Sequence, residues 1–410
     1  MYRFHRQMRI PGWDQDAISG AKVAVCGGGW AGAFTVLALQ SLGVGQIAWI
    51  GAGEEGAERL GAWLCGRKLE GTVLRRYPMA LRHPAQVHWA TLSRPDVLVS
   101  CLRAPEEMEI AADYCDGERV ALIIAISGSD EGWFGQAMLE LGPRGPEDPA
   151  LAMIVAALAA ERVRQLLCPL PGDAVPEEGC IALRKGLDAG PGRAILVGVG
   201  GIGSNLALLA ALAGWQLILV DHDRVDSSNL NRQLFTAEDA EQQRYKVLAA
   251  IRSLRTVCPS ADVRGIAGRL ERDSPCSWKD LRANVILSAV DNARTRLIIQ
   301  QLGNRLGIPV VQGSTDMFAA DCLVQWPGGP SLDAQMHGAL RSAAARERGR
   351  STRSCGGDPA YVVAGMMAAG LMAWRMSAAG PVAPLCWRSG YLPREAGVEV
   401  EGPGGDGAQR

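Results

Sequence analysis

The sequence predicts two tandem α/β units, each a parallel sheet wrapped by helices and carrying a nucleotide-type glycine turn. Three observations lead there. Residues 194–232 read as an apolar strand, a tight glycine turn, an apolar helix, a second strand ending in Asp221, and a polar loop holding Asn229 and Arg232. Residues 21–51 repeat the pattern, with Gly27, Gly29 and Gly32 spaced as Gly198, Gly200 and Gly203 are. Later segments then correspond in the same order: PDVLVSCLRAPEE with ANVILSAVDNART, VALIIAISGSD with GIPVVQGSTD, and EDPALAMIVAALAAERV with GDPAYVVAGMMAAGLMAW. Ordered correspondences of this kind mark an internal repeat.

Size and composition fit that plan. A chain of 410 residues with 48% hydrophobic composition can bury two cores. The repeat places a first unit over residues 1–175 and a second over 176–380, joined through the acidic, proline-rich run CPLPGDAVPEEGC. A crossover without strand pattern follows at 326–355, with a short helix expected around 336–348, and residues 381–410 form a Gly- and Pro-rich tail. The 42 basic and 43 acidic residues leave a net charge of -1, so no global field recruits nucleic acid or an anionic membrane. The N-terminus lacks a signal-peptide core, and a cytoplasmic protein is expected. Eleven cysteines without a C-x-x-C pair suggest neither a disulfide framework nor a structural zinc site.

The chemistry concentrates in the second unit. In G-x-G-x-x-G one glycine makes the turn, one lets phosphate approach and one lets the helix pack. An acidic residue closing the next strand, here Asp221, suits a ribose hydroxyl. Arg232 and Lys246 can neutralise phosphate oxygens, and Asp291, after the strand NVILSAV, can hold magnesium. Taken singly, each charge reads as a solvated loop residue; together at strand carboxyl ends they suit a nucleoside triphosphate better than a dinucleotide. The first unit departs at these places. Gly51 and Ala52 stand where Asp221 would, Arg103 and Ala104 replace Asp291 and Asn292, and Trp30 replaces Gly201, where its ring is expected to obstruct phosphate. It reads as an inactive copy kept as a scaffold.

Cys355 precedes an apolar helical run, with Arg350 and Arg353 nearby. A thiol ahead of a helix N-terminus among cations should have a lowered pKa, as a nucleophile needs. On position alone an inert loop thiol fits as well.

The motifs GVGGIGSN, VDHDRVDSSNLNRQLF, RYKV, SAVDNARTR and the SC preceding the returning helix, with the opening YRFHRQMRIPG, resemble the E1-like ubiquitin-activating superfamily that includes ThiF and MoeB. The resemblance implies two Rossmann-like adenylation domains fused as an intramolecular pseudo-dimer, the first inactive. It further implies that Asp221 binds the ribose of ATP, that Asn229, Arg232 and Lys246 contact phosphates, and that Asp291 helps bind Mg2+. Gly198, Gly200, Gly201, Gly203, Asp223, Gln233 and Asn292 complete the implied nucleotide-binding set. Arg6, from the RQ segment of the first unit, is expected to reach the second unit's site, and Cys355 matches the family's reactive cysteine. The paired C-x-x-C motifs of ThiF and MoeB are absent, so a fused bacterial E1 of a ubiquitin-like conjugation system, of the anti-phage Bil type, resembles the chain best.

The expected reaction is activation of a ubiquitin-like protein by adenylation of its C-terminal glycine tail, then thioester formation on Cys355 and transfer to an E2-like enzyme. Three other readings compete. A ThiF/MoeB-type sulfur-carrier adenylyltransferase shares the first step. A NAD-dependent oxidoreductase shares the glycine turn and Asp221 but has no use for Arg232, Lys246 and Asp291 together. A non-enzymatic binding scaffold fits the first unit and leaves the second unexplained.

Overall fold

The computed structural model describes residues 2–135, 145–170, 173, 179–182, 191–270, 282–316, 319–347, 362–376 and 385–388. Within them lie two seven-stranded sheets. The first contains β1 (Lys22–Cys26), β2 (Gln46–Ile50), β3 (Val73–Tyr77), β4 (Val97–Ser100), β5 (Ala121–Ser127), β6 (Glu131–Gly135) and β7 (Gly179–Ala182). The second contains β8 (Arg193–Val197), β9 (Gln216–Asp221), β10 (Val263–Ala267), β11 (Val285–Ser288), β12 (Val310–Asp316), β13 (Ala319–Gln325) and β14 (Leu385–Arg388). Their orders, β3-β2-β1-β4-β5-β6-β7 and β10-β9-β8-β11-β12-β13-β14, are the same order written twice. Each sheet is parallel through five strands and antiparallel over its last two. The repeat read from the sequence is therefore a repeat of topology. The central strands read as unbroken apolar runs because helices cover both faces.

Four helices explain why the halves cannot part. Trp30–Leu42 and Pro149–Leu167 from the first half join Gly201–Leu212 and Val362–Met376 from the second in one apolar cluster. All thirteen residues of Trp30–Leu42 are buried. A helix apolar all round needs cover all round, and here its own sheet supplies one side and the neighbouring helix layer the other. Small residues set the spacing: a Cβ on Gly370 would stand 2.6 Å from Ile154. The interface has the character of a domain core, and the expected pseudo-dimer is this helix layer.

Two details differ from the sequence reading. Strands β7 and β14 pair with β6 and β13, so each sheet draws its last strand from beyond residues 175 and 380, where the sequence divides the chain. Neither segment shows a strand pattern long enough to read unaided. The crossover is also less loose than expected over its first part. It folds into helices Leu332–Gln335 and Ala339–Glu347, the second falling where a helix is expected. Leu332, Leu340 and Ala344 are buried among the residues of the Ala293–Leu306 helix, and the Asp333 N–H donates to Gln300 Oε1 at 2.9 Å. Among the described residues no helix is long and apolar enough to cross a membrane.

Candidate functional site

In an open α/β sheet the strand order reverses beside the first strand, and the crevice at the carboxyl ends there is where ligands bind. In the second sheet that point lies between β8 and β11. It is lined by the glycine turn after β8, by Asp221 ending β9, and by Asp291 after β11.

The turn needs its glycines for two different reasons. Gly198 has φ +89°, a left-handed conformation that side chains rarely adopt, and its N–H donates to Val220 O at 2.9 Å. A Cβ on Gly203 would stand 1.9 Å from Gly198 O, so the helix packs directly on the turn. Gly200 and Gly201 have room instead. The nearest atoms to a Cβ there are Gln233 Nε2 at 3.9 Å and the Arg232 side chain at 3.5 Å. The N-terminus of the Gly201–Leu212 helix, which is positive and uncapped by any side chain, is thus flanked by the Gln233 side-chain amide and by the Arg232 side chain. That donor set fits an anion such as the phosphate chain of a nucleotide.

Arg232 is held in place. Its Nη1 donates to Ser228 O and to Asn231 Oδ1, each at 2.7 Å. Burial lowers its pKa to about 9, and the nearby charge of Arg6 pushes the same way, against the pull of Asp291 and Asp226. It remains a cation at neutral pH. The structure thereby brings Arg6, Arg232 and Asp291 within electrostatic reach of one another, with Arg6 half-buried and coming from the other half of the chain. The link between the halves at this point is Gln7. Its side chain is fully buried, its Oε1 accepts from Asn231 Nδ2 at 3.1 Å, and its Nε2 donates to Leu42 O at 2.9 Å.

Other sequence-picked residues have jobs within the protein. Asp221 accepts from the Val199 N–H at 2.7 Å and from the Asp223 N–H at 2.8 Å, tying the end of β9 to the glycine turn. A carboxylate keeps further acceptor capacity beyond two such bonds. Lys246 is nearly buried and pairs with Asp223, Nζ to Oδ2, at 2.9 Å. Burial pushes the Asp223 carboxyl up, but Lys246, His222 and Arg269 together hold it below its ordinary value. Asn229 Oδ1 accepts from the Asp226 N–H at 3.0 Å in a capping box, which leaves its amide nitrogen to offer. Asn292 Oδ1 caps the Ala293–Leu306 helix through the Thr295 N–H at 2.8 Å. Gln233 is buried, and its Oε1 has no hydrogen-bond partner among the described residues.

For a metal, Asp291 is an exposed single carboxylate, the kind of ligand Mg2+ shares with substrate phosphates. Among the described residues the one group of three close ligand-bearing side chains is Asp221, His222 and Asp223. Cys355, with Arg350 and Arg353, lies outside the described residues.

The first half's turn is filled by the protein itself. The Glu147 carboxylate receives the Trp30 N–H at the N-terminus of the Trp30–Leu42 helix, and a Cβ on Gly29 would stand 2.1 Å from its Oε2. Ser127 Oγ lies 3.2 Å from Glu147 Oε1. Burial raises the Glu147 pKa, opposed by the hydrogen bond from Trp30, by the charge of Arg103 and by the bonds from Ser127 and Ala31. On the other side, Gly51, Ala52 and Gly53 press onto Gly27 and Gly28; a Cβ on Gly53 would lie 1.8 Å from Gly28 O. The obstruction expected from the Trp30 ring is not what closes this turn. That ring is buried and stacks on Phe34, 5.7 Å between centroids.

Arg67 carries no sequence signal as a site residue. It follows the Glu55–Gly66 helix of the first half, is fully buried, and donates to Gln233 O at 2.9 Å, Phe235 O at 3.2 Å and Leu230 O at 3.4 Å.

Fold and site together define an α/β protein with one open nucleotide-type glycine turn, donor-lined and opposed by a carboxylate. Residues 183–380 match the model of the ThiF family. The second half of the chain thus carries a ThiF-family domain. Among its relatives, the sulfur carrier protein ThiS adenylyltransferase of Bacillus subtilis is 34% identical over 125 residues, covering 30% of this chain and 37% of that protein. The SAMP-activating enzyme E1 of Haloferax volcanii is 30% identical over 139 residues, covering 34% of this chain and 51% of that protein. The chain thus spans about half or less of the length of these relatives. A crystal structure of E. coli MccB with MccA-N7isoASN superposes with a TM-score of 0.39 at 16% identity, covering 51% of this chain and 64% of that one.

Proposed function

We propose that the second half adenylates the C-terminal carboxylate of a small ubiquitin-like or sulfur-carrier protein, using ATP. The observation that carries this is the meeting of Arg232, Arg6 and Asp291 around a donor-flanked helix N-terminus, in one half only. The relatives named as adenylyltransferases support the same reading.

In the proposed reaction a carboxylate oxygen of the carrier attacks the α-phosphorus of ATP. The bond from that phosphorus to the bridging oxygen breaks, and pyrophosphate leaves with the electron pair. The nucleophile is already an anion, so no general base is needed. The residues' task is to position and to neutralise: Arg232 and Arg6 face the phosphate chain, Lys246 supplies donors from the Asp223 side, and Asp221 faces the ribose. Asp291 would hold Mg2+, whose charge would offset that of the phosphates.

Two continuations follow the acyl adenylate. In one, the Cys355 thiolate attacks the activated carbonyl, the bond to AMP breaks, and the thioester passes to an E2-like enzyme. In the other, the adenylate serves sulfur transfer, and the two relatives, a ThiS adenylyltransferase and a SAMP-activating E1, favour carriers of that type.

The test separates the steps. With ATP, magnesium and a carrier ending in glycine, Asp291→Ala should lose ATP–pyrophosphate exchange while Cys355→Ala keeps it and loses any thiol-reducible carrier adduct. An adduct that persists in Cys355→Ala removes the thioester role, and exchange unaffected by Asp291→Ala removes the adenylation site.

A further inference from the structure

We propose that Arg67 is a positioning residue for the second half's site: from the first half it holds the Leu230–Phe235 backbone so that Arg232 stands at the glycine turn. This rests on the adenylation reading above.

Arg67 is a costly residue to bury. A guanidinium with no exposed surface has given up its hydration, and here it is matched to three backbone carbonyls; among the described residues none of its hydrogen bonds goes to a carboxylate. Its Nη1 has no hydrogen-bond partner among the described residues, and its charged neighbour is Arg3, another cation. Burial and that like charge lower its pKa to about 9, so it still carries its charge at neutral pH. An apolar side chain of similar length would fill the space, resting on Trp63 as Arg67 does at 5.2 Å, without the desolvation cost. What it could not do is gather three carbonyls at once.

Those carbonyls are well chosen. Leu230 and Gln233 bracket Arg232, and Phe235 closes the same turn. Among the described residues Leu230 O and Phe235 O accept no backbone hydrogen bond, whereas Gln233 O accepts one from Phe235 N–H at 2.9 Å. Remove the guanidinium and two buried acceptors are left without a donor, which is costly. The loop can recover them by turning outward, which would carry Arg232 with it.

The pseudo-symmetry points the same way. In each half a helix joins the second strand to the third in space, Glu55–Gly66 in the first and Lys246–Val257 in the second, and they meet where Arg59 Nε donates to Val257 O at 2.8 Å. The residue capping the first is Arg67; the residue capping the second is Cys258. The first half has no NLNRQ loop for a second arginine to hold, and none is present.

The test uses the full chain with Arg67→Met and Arg67→Lys, read in two ways. Hydrogen exchange should show residues 227–235 losing protection in Arg67→Met while β8 and β9 keep theirs, with Arg67→Lys between the two. The kcat of ATP–pyrophosphate exchange per folded molecule should fall tenfold or more in Arg67→Met, with the KM for carrier changed less than threefold, since a displacement of about 1 Å can cost up to about 10²-fold. A uniform loss of protection over the whole second half, or an unchanged loop with unchanged kcat, overturns the proposal in favour of a packing role. If Arg67→Met does not fold, Arg67→Lys decides by the same criteria. Absence of exchange in the native chain defeats the adenylation reading, and loop protection then still decides whether Arg67 holds the loop.

Discussion

Arg232→Ala is expected to lower ATP–pyrophosphate exchange by about 10²–10³-fold, the loss typical when a preorganised donor to developing charge is removed. Its guanidinium is desolvated and already fixed by Ser228 O and Asn231 Oδ1, so little reorganisation stands between the resting site and a charged phosphate chain. Two cations, Arg6 and Arg232, push against each other here, and an arriving polyanion relieves that repulsion. Arg232→Lys keeps the charge but loses the two-pronged geometry, and should recover only part of the activity. Exchange within threefold of native for the alanine variant, at matched folded concentration, would remove Arg232 from the site.

Gly203→Ala is expected to cost stability rather than chemistry, on the order of 4 kcal/mol or more. The added Cβ would stand 1.9 Å from Gly198 O and 2.9 Å from Gly198 C, and both are backbone atoms of a turn fixed by the strand behind it. Neither can swing aside as a side-chain tip could. Gly201→Ala provides the contrast, because its Cβ would meet nothing nearer than 3.5 Å. It should melt as the native chain does and yet put a methyl group at the helix N-terminus where an anion approaches. Thermal unfolding of the two variants side by side checks both statements; similar midpoints would show that the turn is softer than its contacts imply.

The fold was legible because its signals are local. Each unit announces itself by a strand, a glycine turn and an apolar helix within some thirty residues, and two copies in one order leave few other topologies. Asp221 and Asp291 could be read as candidates for the same reason, each at or just after a strand end, and Arg232 from its place in the NLNRQ loop. What was hidden depends on distance along the chain. Glu147 reaches the turn beside Trp30 across 117 residues, and Arg67 reaches Gln233 across 166. A lone glutamate before a proline helix and an arginine after a helix end carry no pattern that points to those partners. Gln7 was half visible, since it sits in the RQ pair that drew attention to Arg6, but its contact with Asn231 belongs to the packed pair of halves. Asn229 and Asn292 show the converse: their side-chain oxygens build a capping box and a helix cap, uses that motif reading does not distinguish from ligand contacts.

The Glu147 carboxylate seated on the first turn has a kinetic meaning. Two identical subunits each with a working site can alternate, one reacting while its neighbour releases product, and their binding curves can bend. A chain whose first turn is occupied by its own glutamate has given that up. It should titrate with a single nucleotide per polypeptide, follow a hyperbola, and yield a first-turnover burst that cannot exceed one equivalent.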